Sequence, residues 1–153
     1  MKGQVKPIPK GYHSVTPYLI VHDATEAIRF YLKAFGATEV FRMAGPNNRI
    51  AHAEIQIGDS RVMLADESPE MKTRSPRSTG GTPVSLMVYV EDVDRVFGAA
   101  LKAGATETRK VEDMFYGDRS GTLTDPFGHI WHISTHKEDL TPEEIQHRAM
   151  AAH

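Results

Sequence analysis

The residues with the clearest chemical potential lie in a stretch of alternating polar and apolar residues, 50–57. His52, Glu54 and Gln56 alternate there with alanine and isoleucine. This is the period of a strand, so the three side chains are expected on one face, about 7 Å apart. An imidazole beside a carboxylate suits general acid–base catalysis, with Glu54 as the base, and it also suits a divalent metal. A polar wall that contacts a ligand is favoured over a metal site, and an ordinary half-exposed sheet is the remaining alternative.

Two further histidines, His129 and His132, have a spacing that argues against joint chelation of a metal. The two residues are three positions apart, which places them on opposite faces of a strand. We expect His129 to bond locally around the preceding turn, 125–128. The turn reads Asp-Pro-Phe-Gly: Asp bonds its own backbone, Pro fixes φ and Gly accepts a positive φ.

Composition limits the functions that these residues can serve. The chain has 153 residues, a net charge of -2 and no cysteine. Without cysteine there are no disulfides, thiolate nucleophiles or thiolate metal sites, and the charge offers no basic surface for nucleic acid. No apolar run is long enough to cross a membrane, and the N-terminus lacks the plan of a signal peptide. We therefore expect a cytoplasmic protein whose partners include neither nucleic acid nor a membrane.

Hydrophobic periodicity and turn residues predict two similar series of elements. The first series is a strand, a helix and three strands, with the strands at 14–21, 38–43, 50–57 and 61–65. The second has the same order, with strands at 84–90, 106–111, 120–124 and 129–135. Asp23 and Asp92 are placed to cap the two helices, and Gly36 and Gly104 to end them. A final helix starts at Thr141-Pro142-Glu143-Glu144 and has a weak apolar face.

The two series are an internal repeat. Residues 18–23 parallel residues 87–92, and residues 58–64 parallel residues 127–133, both at an offset of 69 positions. The predicted organisation is an N-terminal arm at 1–11, a first βαβββ half at 12–66, a linker or flap at 67–82, a second βαβββ half at 83–136 and a C-terminal helical tail at 137–153.

This repeat, with Phe30-Tyr31 in the first helix and Asp125-Pro126-Phe127-Gly128 before the last strand, resembles the vicinal oxygen chelate superfamily. That superfamily includes glyoxalase I, fosfomycin-resistance proteins, extradiol dioxygenases and bleomycin-binding proteins. Further segments are similar to its PhnB-like branch: His52-Ala53-Glu54, 63–67, Gly117-Asp118-Arg119 and Thr135-His136. The resemblance implies an α+β fold in which two curled mixed sheets surround a cavity, with the helices outside. It also implies a homodimer.

The resemblance locates the positions at which metal-dependent members hold their ion. These positions carry Thr16 and Met63 in the first half and Ser85 and His132 in the second. Neutral hydroxyls and a thioether are poor ligands for the divalent ions that such enzymes use. We therefore expect no metal and no other cofactor. If a divalent metal is bound after all, the expected ligands are His132, His52 and Glu54.

Side-chain alternation from these positions predicts which residues line the cavity. Tyr18 shares the parity of Thr16, whereas Val15, Leu19 and Val21 should face a helix. Met87 and Tyr89 share the parity of Ser85, whereas Val84, Leu86, Val88 and Val90 should face a helix. Arg119, taken as the equivalent of Ile50, is predicted to face the cavity, where it would bind an anionic group or pair with a local carboxylate.

The expected function is to bind a small, planar or aromatic molecule without a metal, in the manner of the bleomycin-binding proteins. The residues expected to contact it are Thr16, Tyr18, His52, Glu54, Ser85, Met87, Tyr89, Arg119 and His132. The alternative is a metal-dependent lyase, isomerase or transferase that resembles glyoxalase I or the fosfomycin-resistance enzymes, with His52 and Glu54 as catalytic candidates. A third possibility is a non-catalytic accessory protein.

Overall fold

A computed structural model describes residues 3–151; the ends of the predicted arm and tail, residues 1–2 and 152–153, lie outside this range. The chain separates into two compact units, of which the first ends at Thr79 and the second begins at Gly80. Each unit has a four-stranded mixed sheet with one long helix packed on it. The predicted α+β class is therefore confirmed.

The first unit has its strands in the spatial order β1-β4-β3-β2. β1 and β4 are parallel, and the other neighbours are antiparallel. A single 3-10 turn, Pro46–Asn48, connects β2 to β3. The elements are β1 (Tyr18–Val21), α1 (Ala24–Phe35), β2 (Thr38–Ala44), β3 (Ile50–Ile57), β4 (Ser60–Asp66) and α2 (Pro76–Thr79).

The second unit repeats this topology, with the order β5-β8-β7-β6 and a parallel β5–β8 pair. The repeat that the sequence predicts is thus present in the fold. The elements are β5 (Ser85–Tyr89), α3 (Val93–Lys102), β6 (Thr106–Asp113), β7 (Asp118–Thr124), β8 (Ile130–His136) and α4 (Pro142–Ala151). Among the described residues, no helix combines the length and the apolar character needed to span a membrane.

The helix signals in the sequence act as predicted. The Asp23 carboxylate accepts the Glu26 N–H and the Asp92 carboxylate accepts the Arg95 N–H, each at 3.2 Å. Gly36 ends α1 with a φ of 66°, which a residue without a Cβ adopts at little cost. At α4 the exchange is mutual, as in a capping box: Thr141 Oγ1 accepts the Glu144 N–H, and the Glu144 carboxylate accepts the Thr141 N–H.

Both long helices are also fastened from the last strand of their sheet, which the sequence does not indicate. Asp66 Oδ1 accepts the N–H of Ala24, the first residue of α1, at 2.7 Å. At the corresponding place in the second unit, Thr135 Oγ1 accepts the N–H of Val93 at 2.9 Å. A free N–H at the start of each helix is thereby satisfied from the sheet.

The segment after β4 is ordered by Glu67 rather than being structureless. The Glu67 carboxylate accepts the backbone N–H and the hydroxyl of the buried Ser75, at 2.7 and 2.5 Å. Hydrogen bonds from the hydroxyls of Ser75 and Ser78 lower the pKa of Glu67 to about 2. Because Ser75 immediately precedes α2, this carboxylate fixes the start of α2 to the end of β4.

Two strands are shorter than predicted, because each begins after a proline. β1 starts at Tyr18, so Thr16 precedes the strand and the 86% exposed Val15 does not face a helix. Pro17 has no N–H to donate to a ladder, although its carbonyl accepts the Met63 N–H. Val84, next to Pro83, is likewise exposed rather than helix-facing. Within the strands the predicted alternation holds: Leu19 and Val21 are buried, whereas Tyr18 is exposed.

Candidate functional site

The predicted site residues of the first unit meet on the sheet face that α1 leaves uncovered. Tyr18 lies opposite Met63 in the β1–β4 register, and Met63 lies opposite Glu54 in the β4–β3 register. Directly opposed residues share a face, so the three form a row across the sheet. His52 is two positions from Glu54 and points the same way. Thr16 is half-buried just ahead of β1.

Tyr18, His52 and Glu54 form one hydrogen-bonded chain. The Tyr18 hydroxyl is 2.7 Å from His52 Nδ1, and His52 Nε2 is 2.8 Å from Glu54 Oε2. The Glu54 carboxylate can only accept a hydrogen bond, so it selects the tautomer of His52 with N–H at Nε2. Nδ1 then accepts the hydrogen bond from the Tyr18 hydroxyl. Partial burial raises the pKa of Tyr18, which keeps that hydroxyl a donor. Glu54 and His52 are thus in the geometry of a base and its orienting partner.

Tyr12 and Arg61 complete this site, and neither was a candidate from the sequence. The Tyr12 hydroxyl donates to Glu54 Oε1. The Tyr12 ring lies against the guanidinium of Arg61, with 5.3 Å from its carbon to the ring centroid, a cation–π contact. Tyr12 lies in a Pro- and Lys-rich stretch without periodicity, so its neighbours along the chain carry no signal of this role.

Large apolar side chains of β2 border the same face. Phe41 lies opposite Glu54 and Met43 lies opposite His52 in the β2–β3 register. The Phe41 and Tyr18 ring centroids are 6.2 and 5.4 Å from that of His52. Tyr18, Phe41 and Met43 are each 48–49% exposed. We call these three residues with His52 the aromatic patch of the first unit.

The second unit has the equivalent row, made of Met87, His132 and Thr122. Both nitrogens of His132 are engaged: Nδ1 is 2.8 Å from Thr122 Oγ1 and Nε2 is 3.0 Å from Ser85 Oγ. The Met87 sulfur accepts from Ser134 Oγ at 3.1 Å. The structure therefore brings together the predicted pair Ser85 and His132, with hydroxyls as the partners of the imidazole.

Arg109 is a further polar residue at this row that the sequence did not single out. Its guanidinium donates to the Ser120 carbonyl at 3.0 Å and to the Thr122 hydroxyl at 3.3 Å. Thr122 is therefore contacted by both Arg109 and His132. The Thr122 hydroxyl therefore links the guanidinium of Arg109 to the imidazole of His132.

Tyr89 belongs to a separate group at the end of this sheet. Its hydroxyl donates to Asp118 Oδ2 at 2.8 Å, and His136 Nδ1 is 2.7 Å from Asp118 Oδ1. His136 Nε2 is 2.8 Å from Asp139 Oδ1. Hydrogen bonds to the carboxylates of Asp118 and Asp139 raise the pKa of His136. The bond to Asp118 likewise raises the pKa of Tyr89.

The raised pKa of His136 predicts a pH-dependent contribution to stability. A pKa above the unfolded value of about 6.5 means that this contribution is complete below that pH and is lost as pH rises through the folded pKa. The His136→Gln variant should therefore lose more stability near pH 6 than near pH 9, as measured by urea unfolding. His13→Gln, at an exposed position before β1, is the control. Equal losses for His136→Gln at both pH values would contradict the assignment.

Arg119 does not face the same side as His132, so its prediction as a cavity residue is wrong. Its guanidinium forms two bonds, at 2.8 and 3.0 Å, to the Asp94 carboxylate on α3, and one at 3.3 Å to Asp113. Glu54 pairs with Met63 and Thr122 pairs with His132, so the second hairpin is longer by one residue. A shift of one residue along a strand moves a side chain to the opposite face of the sheet. Arg119 therefore lies on the face that packs against α3.

The described residues contain no group of three or more His, Asp or Glu side chains that could hold a metal ion. A depression of about 490 Å³ lies elsewhere in the first unit, between the 3-10 turn and residues 66–71, and it includes none of the predicted site residues. Its Asp66 is already bonded to the N–H groups of Ala24 and Ile50. The aromatic patch and the His132 row are therefore the candidate sites.

Comparison with known proteins identifies the family of this chain. The profile of the Glyoxalase/Bleomycin resistance protein/Dioxygenase superfamily matches residues 11–133. The chain belongs to this superfamily. Protein Rv0887c of Mycobacterium tuberculosis, described as uncharacterized, is 44% identical to it over 136 residues, which is 87% of this chain and 80% of that protein.

Two solved structures show the same fold. One is the PhnB protein of Bacillus cereus, described as a putative 3-demethylubiquinone-9 3-methyltransferase, with a TM-score of 0.62, 21% identity and coverage of 80% of this chain and 99% of that one. The other is the fosfomycin resistance protein FosX of Mesorhizobium loti, with a TM-score of 0.60, 20% identity and coverage of 86% and 95%. The predicted superfamily is confirmed by the profile match, and the fold is shared with a PhnB protein.

Proposed function

We propose that this superfamily member binds a small planar or aromatic molecule, without a metal, on the sheet faces that α1 and α3 leave uncovered. The observation that carries the proposal is the exposure of large apolar side chains on those faces. Tyr18, Phe41 and Met43 are about half exposed in the first unit, as are Met87 and Tyr89 in the second, at 47% and 59%. Contiguous exposed apolar surface of this kind is typical of interaction sites.

The chemistry of these side chains favours a flat guest. Aromatic rings stack in offset or edge-to-face arrangements, and thioethers adapt to irregular shapes and contact ring edges. Each face also has fixed polar groups, namely Glu54 with His52 in the first unit and Ser85 with His132 in the second. A mostly apolar surface with a few directed polar groups is the usual composition of a small-molecule site.

The residues at the metal positions do not fit a divalent ion. Thr16 and Ser85 offer neutral hydroxyls and Met63 a thioether, which are poor ligands for hard or borderline ions. His132 already has hydroxyl partners on both nitrogens. We therefore assign these side chains to ligand contact or to support of the sheet, and derive no metal-dependent step.

The test is a ligand screen followed by truncation of the exposed side chains. A planar aromatic compound should raise the thermal midpoint of the wild-type protein, because binding to the native state stabilises it. Phe41→Ala, for a guest on the first unit, or Met87→Ala, for a guest on the second, should weaken that compound roughly tenfold, because each removes apolar area that the guest buries. Met150→Ala, an exposed methionine on α4, should leave its affinity unchanged. An equal loss in the Met150→Ala variant would show that the patch is not the site.

The His52–Glu54 contact at 2.8 Å supports a second candidate function, in which the protein is an enzyme. In the metal-dependent form of this candidate, a lyase, isomerase or transferase, His52, Glu54 and His132 would be ligands. Elemental analysis of protein purified without chelators separates the two candidates. One equivalent of divalent metal per chain would replace the metal-free binding proposal.

The proposal extends to assembly and location. We propose a homodimer, as the superfamily resemblance implies, and a reducing, cytoplasmic compartment, which suits a chain without cysteine. The exposed Val40, Phe41 and Met43 of the edge strand β2 supply apolar surface that either a guest or a second copy would cover. Sedimentation equilibrium at several protein concentrations tests the dimer directly.

A further inference from the structure

We propose that the uncovered sheet face of the first unit contains a phenol subsite, which Tyr12 fills from within the chain and which a hydroxylated aromatic ligand takes over by displacing Tyr12. The inference rests on the proposed function in that the guest is aromatic. It adds the chemical class of the guest and the position that it occupies, between Glu54 and Arg61.

The contacts of Tyr12 are those that a bound phenol would make. Its hydroxyl donates to the Glu54 carboxylate, and its ring lies over the Arg61 guanidinium at 5.3 Å. Glu54 is in turn bonded to His52, which is bonded to the hydroxyl of Tyr18. One acidic group and one imidazole on this face therefore each have a phenol as partner. A face arranged around phenol hydroxyls is suited to a phenolic ligand.

The attachment of Tyr12 to the sheet is through its side chain. The Tyr12 backbone N–H donates to the Pro9 carbonyl at 3.1 Å, within the same N-terminal segment. The segment before β1 has turns and bends but no helix or strand from residue 3 to residue 17. Segments of this kind separate locally from a domain at low free-energy cost. Tyr12 is thus an occupant that can leave while the sheet stays folded.

The guanidinium under Tyr12 has an unused donor. Arg61 Nε is buried and has no hydrogen-bond partner among the described residues. The close approach of Gly11 covers it, since a Cβ on Gly11 would lie 2.8 Å from a terminal nitrogen of Arg61. An unsatisfied buried donor is costly. A guest that displaces this segment uncovers the donor, and an acceptor oxygen on that guest would satisfy it. The favoured class is therefore a phenol that carries a second, acceptor oxygen, as in catechols.

The experiment removes the Tyr12 side chain from the subsite and adds the same chemical group as a free compound. The full-length Tyr12→Ala variant is titrated with p-cresol, which is the tyrosine side chain as a free compound, and binding is followed by NMR. We expect saturable binding that is at least tenfold weaker in the wild type, where Tyr12 competes. Adding Glu54→Ala to Tyr12→Ala should weaken p-cresol about tenfold, because a charge-assisted hydrogen bond is lost. Glu26→Ala, which removes an exposed carboxylate from α1 on the other side of the sheet, is the matched control and should have no effect.

Several results would overturn the subsite. The first is an absence of saturable p-cresol binding to a folded Tyr12→Ala protein. The second is toluene binding as tightly as p-cresol. The third is an equal loss of p-cresol affinity with Glu54→Ala and with Glu26→Ala. If Tyr12→Ala does not fold, Tyr12→Phe keeps the ring but releases Glu54, and a failure of catechol to bind it more tightly than the wild type is then decisive. If the ligand screen fails while Tyr12→Ala binds p-cresol, the subsite stands without the proposed function; the reverse result removes only the subsite.

Discussion

Replacement of Asp125 by alanine is expected to lower the free energy of unfolding by about 3–5 kcal/mol. The carboxylate is 3% exposed and accepts three N–H groups: those of Phe127 and His129 on Oδ1, at 2.9 and 3.0 Å, and the indole of Trp131 on Oδ2, at 2.9 Å. The variant leaves these donors without their acceptor in a buried turn. Urea unfolding at neutral pH measures the loss.

Two further variants make this prediction specific. Asp23→Ala removes one exposed cap bond at α1 and should cost only about 1 kcal/mol. Asp125→Asn keeps one acceptor oxygen and should fall between the two. A cost for Asp125→Ala no larger than that for Asp23→Ala would mean that the turn before β8 does not depend on this carboxylate.

The Gly121→Ala substitution is expected to destabilise the second unit by about 2–3 kcal/mol, through overpacking. A Cβ at this position would lie 2.8 Å from Phe97 Cε2 on α3 and 2.8 Å from Val111 Cγ2 on β6. Real Cβ atoms do not approach other atoms so closely, so α3 or its side chains must shift. The thermal or urea midpoint of the variant reports the cost.

A second glycine provides a control, because its replacement by alanine should raise the stability rather than lower it. Gly98 lies inside α3, and within residues 3–151 nothing beyond its neighbours and the helix backbone comes within 4 Å of its added Cβ, so Gly98→Ala should stabilise the protein by about 0.5–1 kcal/mol. Combining Gly121→Ala with Phe97→Leu should recover part of the loss, because a smaller side chain makes room for the new methyl group. A neutral Gly121→Ala would show that α3 does not pack closely on β7.

The order of the elements was predictable because their signals are local. Asp23 and Gly36 mark the ends of α1, and the alternation over 50–57 gives the bounds of β3 as the structure has them. A cap, a glycine with positive φ and a strand period act within a few residues of where they stand. The repeat follows from the same local signals appearing twice.

The partners of the site residues were predictable only in part. His52 and Glu54 were expected on one face because they alternate along a single strand, and they do meet. Arg119 was misplaced because its side depends on a hairpin that is one residue longer than its counterpart. Tyr12 was missed because it reaches Glu54 across 42 positions of sequence, a separation over which periodicity carries no information.

The sequence by itself determined the superfamily, the two βαβββ units and the kinds of side chain at the positions where the resemblance implies metal ligands. These depend on residue types and on short-range spacing. Only the tertiary structure decided that Tyr12 bonds to Glu54 and Tyr18 to His52. It also decided that hydroxyl groups are the hydrogen-bond partners of both nitrogens of His132, and that Arg119 faces α3. The reason is physical. A hydrogen bond between distant strands requires the side chains to lie on the same face in the right register, and register is set by turn lengths and bulges that act together across the whole sheet.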